Sequence, residues 1–265
     1  MEHLQPMAQA VSRRGPDGIT TYCVGQASLC HLALHVYPND LIDKQPLVDL
    51  AGDQIIVYDG RLDNRLELKE SLGLKRSEPE ENFSDAALIL GAYRKWGLEC
   101  AEHLLGDFAF AIWDASERRL YAARDAMGMR AFYYRAELGR FLFGTEVKQI
   151  LEAPDVPCEI NETSVAAHLV GYFGKLSSTF YEGIDQLEPA HVLVVDEAGV
   201  KTWRFWDIDP EKQIWYSNYS DYYDHFREVY IEAVRSRIDT IRPIGIMLSG
   251  GIDSGAIAST AAWLA

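Results

Sequence analysis

Residues 249–254 read Ser-Gly-Gly-Ile-Asp-Ser, directly after the apolar run Ile244-Gly245-Ile246-Met247-Leu248 and directly before Gly255-Ala256-Ile257-Ala258-Ser259. That order predicts a buried parallel strand, a glycine-rich turn and a helix N-terminus. Paired glycines let the backbone turn tightly enough to aim several N–H groups into one concavity. The following helix adds the positive end of its dipole, so the concavity favours a phosphate group. The hydroxyls of Ser249 and Ser254 can donate to phosphate oxygens, and Asp253 can hold a magnesium ion that bridges them. With Met247, Gly250 and Gly251 these residues make up the expected ATP/pyrophosphate set, with Asp253 as the metal ligand. The lysine of a Walker-type loop is absent, which argues against transfer of a γ-phosphate. A lysine-free loop suits a site that holds pyrophosphate as leaving group while AMP passes to a carboxylate. ATP and Mg are therefore the expected cofactors. The plain alternative, an ordinary glycine turn, leaves the agreement of six positions to chance.

The rest of the composition narrows the class. At 265 residues with 48% hydrophobic content, the chain can bury one large core or two small ones. No apolar run is long enough to span a bilayer, and the N-terminus lacks the basic-then-apolar pattern of a signal peptide. A net charge of −15 argues against a general nucleic-acid or membrane-surface binder. The four cysteines, Cys23, Cys30, Cys100 and Cys158, have no CxxC spacing and are expected reduced. A cytoplasmic protein acting on a small-molecule or peptide carboxylate is expected, and a homodimer is left open.

Short strands dominate up to about Asp209. Gln54–Tyr58 reads as one strand, with Asp59-Gly60 as a turn after it. Phe108–Trp113 with Arg119–Ala123 reads as a hairpin, and Phe132–Arg135 with Arg140–Gly144 as a second one across Ala136–Gly139. Helices are expected over Ser84–Trp96, with Ser84 as cap, and over Thr163–Tyr172. Leu74–Phe83 reads as a solvated loop. Beyond Tyr216, the residues Tyr222, Phe226, Val229, Tyr230, Ala233 and Val234 recur at helical spacing, and this aromatic stripe is read as core. A doubly wound nucleotide domain needs more strands than the single one read here, so the chain is expected to be a fragment of its protein.

Arg14-Gly15-Pro16-Asp17-Gly18, Asp59-Gly60-Arg61-Leu62-Asp63-Asn64, Ser84-Asp85, Leu105-Gly106-Asp107-Phe108-Ala109-Phe110, Arg124-Asp125-Ala126-Met127-Gly128-Met129, Gly144-Thr145-Glu146-Val147-Lys148 and the loop at 249–254 follow one another in this order. In that order and spacing the chain resembles, over nearly its whole length, the asparagine synthetase family. Those enzymes pair a class II glutamine amidotransferase domain with an ATP-pyrophosphatase synthetase domain. The resemblance implies an α+β fold. An N-terminal-nucleophile-type αββα sandwich, two antiparallel sheets face to face with helices outside, would occupy 1–209. The first helix-strand-helix of a doubly wound α/β domain would occupy 216–265. It also implies an ATP-dependent ligase that forms amides through an acyl-adenylate, as in asparagine biosynthesis.

The departures from the family pattern are as informative. The family's second residue is a cysteine nucleophile, whereas residue 2 here is Glu2, and the first strand is expected to be missing. The glutamine-clamping arginine is replaced by Ala33, the oxyanion-hole asparagine by Asp59 and the amine-binding glutamate by Arg61. Only Gly60 and Asp85 remain of that pocket. No catalytic residue is therefore assigned, and the glutaminase site is expected to be inactive. In this the chain resembles β-lactam synthetases and lasso-peptide cyclases, members in which the amine belongs to the substrate itself. A non-catalytic remnant or binding module is the other reading.

Overall fold

The computed structural model describes residues 4–74, 83–172 and 177–265. The chain divides into two compact units, one of Met1–Leu34 with Ile42–Asp207 and one of His35–Leu41 with Ile208–Ala265.

The larger unit runs through helix α1 (Leu4–Ala10), strands β1 (Gly18–Val24), β2 (Ala27–Ala33), β3 (Leu47–Val48) and β4 (Gln54–Leu62), and helices α2 (Arg65–Ser71) and α3 (Asp85–Trp96). It continues with β5 (Gly106–Asp114), β6 (Arg119–Arg124), β7 (Tyr133–Glu137), β8 (Arg140–Gly144), helices α4 (Val147–Leu151) and α5 (Glu162–Leu169), and strands β9 (Asp185–Gln186), β10 (His191–Asp196) and β11 (Gly199–Arg204). Six strands form an antiparallel sheet in the order β11-β10-β6-β5-β4-β3.

Strict period-two alternation sends two different sets of side chains to the two faces of this sheet. Ile56, Tyr58, Phe108, Phe110, Ile112, Tyr121 and Val192 face one way and pack with Ala86, Ile89, Ala92 and Tyr93 of α3. Ile55, Val57, Ala109, Ala111, Leu120, Ala122 and Leu193 face the other way and pack with Leu29 of β2 and with Phe132 and Leu187 beside the β8-β7-β9 sheet. The alanines on this second face let the next layer approach closely, while the rings of Phe110 and Tyr121, 5.8 Å apart, fill the first. Helices α1 and α4 pack together, α1 against β2 and α4 against β7 and β8, which completes the αββα order. The N-terminal-nucleophile-type layering is therefore present, with one difference from the expectation. The second β layer is two small sheets, β1-β2 and β8-β7-β9, rather than one.

Both expected hairpins form, and the second turns over Leu138-Gly139, with Gly139 at φ +77°. Ser84 caps α3 by accepting from the Ala87 amide at 3.2 Å. The next helix starts one residue earlier than expected, at Glu162, because Asn161 accepts from the Ser164 amide at 3.0 Å. It ends at Leu169, short of Tyr172. Leu74 and Phe83, read as loop ends, are half-buried against the core; the expectation for residues 75–82 lies outside the described residues.

The smaller unit holds helices α6 (Tyr219–Ile238) and α7 (Ile252–Leu264), which pack on each other. Residues 35–41, which lie between β2 and β3 in sequence, belong to it. The Ile241 amide donates to the Val36 carbonyl at 2.9 Å, as does the Thr240 hydroxyl at 2.7 Å. Two expectations fail here. Ile244–Leu248 is not a strand and is exposed, because among the described residues no strand lies beside it to complete a ladder. The α6 stripe is not core either. Tyr222, Phe226 and Val229 are exposed, and only Val234 of that helix is buried.

Candidate functional site

The amidotransferase-like site is built on the end of β4. Gly60 stands at φ +154°, and a Cβ there would lie 2.1 Å from the Asp107 carbonyl oxygen of β5. The strand needs glycine at this point because the backbones of β4 and β5 meet. On either side of it, Asp59 and Arg61 are held by opposite charges. Arg130 Nη1 donates to Asp59 Oδ1 at 3.2 Å. Arg61 is buried; it donates from Nε to Asp63 Oδ1 at 2.6 Å and from Nη2 to Asp107 Oδ2 at 3.1 Å. Asp85 is buried at the start of α3. It accepts from the Leu62 amide at 2.8 Å and the Tyr58 hydroxyl at 3.1 Å, and it ion-pairs with Arg65. Asn64 joins this segment to the approach of β5, donating to the His103 carbonyl and accepting from the Leu105 amide, each at 3.0 Å.

Asp59, Gly60 and Arg61 thus lie in succession on β4, while Asp85 reaches the same strand end from the α3 side through Tyr58 and Leu62. Ala33 ends β2, where its carbonyl accepts from the Asp17 amide at 3.1 Å and its methyl offers no donor. Glu2 lies outside the described residues. Asp63, Arg65, Asp107 and Arg130 were not singled out from sequence. The signal was present, since the alternation Asp59, Arg61, Asp63, Arg65 places opposite charges two apart along a strand and its exit.

A second motif shapes the same region. Arg124 donates to three carbonyls, Arg130 at 2.5 Å, Gly128 at 2.6 Å and Leu187 at 2.7 Å. Asp125 accepts from the amides of Met129, Arg130, Met127 and Phe108 at 2.9–3.3 Å. This turn delivers Arg130 to Asp59. The two cysteines of the unit that are not exposed, Cys30 and Cys100, are held as neutral thiols. Burial raises the pKa of Cys30 to about 11 and that of Cys100 to about 12.

The phosphate-type loop lies in the smaller unit. Gly250 takes φ +81°, and α7 begins after Gly251 with no side chain capping it. Ser249 and Ser254 close the loop, their hydroxyls 3.0 Å apart, and Ser254 Oγ also receives the Ser249 amide at 3.3 Å. Met247, Ser249, Gly250, Gly251 and Asp253 are exposed. The two hydroxyls and the uncapped first turn fit a phosphate group. Among the described residues no group of three or more His, Cys, Asp or Glu is placed to hold a metal ion. Asp253 alone therefore offers a single carboxylate, which fits a magnesium ion delivered on phosphate rather than a cage of protein ligands.

The family model described as a glutamine amidotransferase domain matches residues 1–206. The chain belongs to that family. The amidotransferase domain is followed by a match to the asparagine synthase family over residues 225–265. Among curated relatives, asparagine synthetase (glutamine-hydrolyzing) 3 of Bacillus subtilis is 33% identical over 97% of this chain and 42% of its own length. The amidase chyE of Penicillium rubens is 29% identical over 99% of this chain and 38% of its own. The chain spans about two fifths of the length of these relatives. Among solved structures, the glutamine phosphoribosylpyrophosphate amidotransferase of B. subtilis aligns with 61% of this chain and 32% of its own at 19% identity, with a TM-score of 0.40. That likeness is too loose to bear on function. No helix among the described residues is long and apolar enough to cross a membrane.

Proposed function

We propose that this amidotransferase-family chain serves an ATP-dependent, amide-forming ligase of asparagine synthetase type, and that its own pocket does not hydrolyse glutamine. The observation carrying the ligase reading is the lysine-free loop at Ser249–Ser254, closed by two serines and opening on an uncapped helix. A substrate carboxylate oxygen attacks the α-phosphorus of ATP, the bond from the α-phosphorus to the bridging oxygen breaks, and pyrophosphate leaves. Loop amides and the Ser249 and Ser254 hydroxyls meet the charge that develops on the leaving group. A magnesium ion carried on the phosphates would add Lewis-acid neutralisation, with Asp253 as its protein ligand. An amine then displaces AMP to form the amide.

The inactive-pocket reading rests on Ala33, Asp59 and Arg61. Without the arginine there is no fork for the glutamine carboxylate. A carboxylate at Asp59 opposes the negative charge of a tetrahedral oxyanion, and Arg61 repels an α-ammonium group. These reversals favour an amine carried by the substrate itself, as in a lasso-peptide or β-lactam type cyclase. The test supplies a Met-Cys N-terminus, with the methionine removed, and measures glutamate released from glutamine. No release is expected. Steady release at the rate of a working amidotransferase would overturn the reading. A chain that neither binds pyrophosphate nor supports adenylation as part of the full-length protein would be a non-catalytic remnant.

A further inference from the structure

Arg61 lies on β4 directly opposite Asp107 on β5. Asp59 and Asp63 flank it two residues away on the same strand and its exit, so three carboxylates frame this position on one face. The guanidinium bridges Asp63 and Asp107, and all three side chains are largely buried, 9%, 13% and 16% exposed. Like charges placed opposite one another on a sheet destabilise it, and more so when buried. A glutamate at 61 would stand against Asp63 and Asp107 with their shared cation gone, while Asp59 keeps Arg130.

We infer that Asp63 and Asp107 are positioning residues that hold Arg61 as a resident cation, supplying from within the positive charge that an amino-acid ligand's ammonium group brings to a working amidotransferase pocket. The inference rests on the reading of this pocket as one that no longer takes glutamine. Arg61 then offsets part of the charge of the two carboxylates it bridges without a ligand, while Arg130 holds Asp59. Arg61, Asp63 and Asp107 form one coupled unit, and the sign at 61 cannot be reversed without changing the framing acids as well.

The experiment uses the 265-residue chain and follows thermal unfolding by circular dichroism. Arg61→Ala leaves Asp63 and Asp107 facing each other and is expected to lower the midpoint by roughly 6–15 °C. Arg61→Ala combined with Asp63→Asn and Asp107→Asn removes the repulsion and is expected to recover at least half of that loss. Ethylguanidinium at 10 mM, against the same concentration of sodium chloride, is expected to raise the midpoint of Arg61→Ala by several degrees and to leave the parent unchanged. A merely structural contact of the arginine stem would show neither recovery nor rescue. An Arg61→Ala midpoint equal to the parent's overturns the inference, and so does a loss that neither the neutral triple variant nor the added cation repairs. Glutamate release by the Met-Cys chain is scored separately, so failure of the glutaminase reading and failure of the resident cation are distinguishable.

Discussion

Replacing Gly60 by alanine tests whether this glycine answers to geometry rather than to chemistry. The added Cβ would lie 2.1 Å from the Asp107 carbonyl oxygen and 2.8 Å from Phe108 Cα, at φ +154°. Strand β5 must retreat by about 0.9 Å before the Cβ reaches even 3.0 Å from that oxygen. The backbone conformation alone costs about 1–2 kcal/mol for a residue with a side chain. Two or three ladder hydrogen bonds between β4 and β5 then weaken, at about 0.5–1.5 kcal/mol each. Together the loss is about 2–6 kcal/mol, which for a domain of this size lowers the melting midpoint by roughly 5–25 °C. Gly139→Ala is the matched control, with φ +77° and nothing within 4 Å of the new Cβ, so only the conformational cost applies. It should lose about 2–8 °C, always less than Gly60→Ala. Differential scanning calorimetry of both variants decides the matter. A Gly60→Ala midpoint within about 3 °C of the Gly139→Ala value would refute the close-approach argument.

Three further outcomes are expected. If the loop takes phosphates as proposed, titration with ATP, GTP and pyrophosphate should show weak and similar affinities, since its amides and hydroxyls offer nothing that reads a base; Ser249→Ala should weaken binding about tenfold to a hundredfold and Asp253→Asn should reduce its magnesium dependence, whereas tight adenine-selective binding would count against this. Burial alone would raise the pKa of Asp114, but hydrogen bonds from Ser116, the Glu117 amide, Tyr93 and Gln54 outweigh it and hold the pKa below the ordinary value. The stability it adds is present at neutral pH and lost as pH falls below about 4, so the urea-midpoint gap between the parent and Asp114→Asn should narrow from pH 7 to pH 3. Iodoacetamide at pH 7.5 should label exposed Cys23 and Cys158 quickly and leave Cys30 and Cys100 unmodified in the folded chain, because burial keeps the latter two as neutral thiols.

Features with local causes were legible in the sequence. The hairpins at Phe108–Ala123 and Phe132–Gly144, the Ser84-capped helix and the glycine turn before α7 all follow from alternation, caps and turn residues within about twenty positions. What covers a face was not legible. The stripe from Tyr222 to Val234 has helical spacing, but spacing names a face and not its neighbour, and Phe226 is 68% exposed. Ile244–Leu248 has strand composition, yet a strand exists only with a partner to share its hydrogen bonds. At the pocket, sequence pointed to Ala33, Asp59 and Arg61 singly. It did not show that Arg61 is bound to Asp63 and Asp107, because Asp107 is 46 residues away and reaches it only through the β4–β5 register.

The turn at Arg124–Arg130 has a consequence for how such chains are recognised. Its arginine is consumed by the carbonyls of residues 128, 130 and 187, and its aspartate by four backbone amides. These groups are spent on backbone partners, and they keep β6, the loop after it and the approach to β10 in one shape, with Arg130 presented to Asp59. Loss of the signature would unmake the scaffold whatever chemistry the pocket performs. Motifs of this kind record descent of an architecture. Whether such a chain still cuts glutamine is written elsewhere, at positions as inconspicuous as an alanine at the end of a strand.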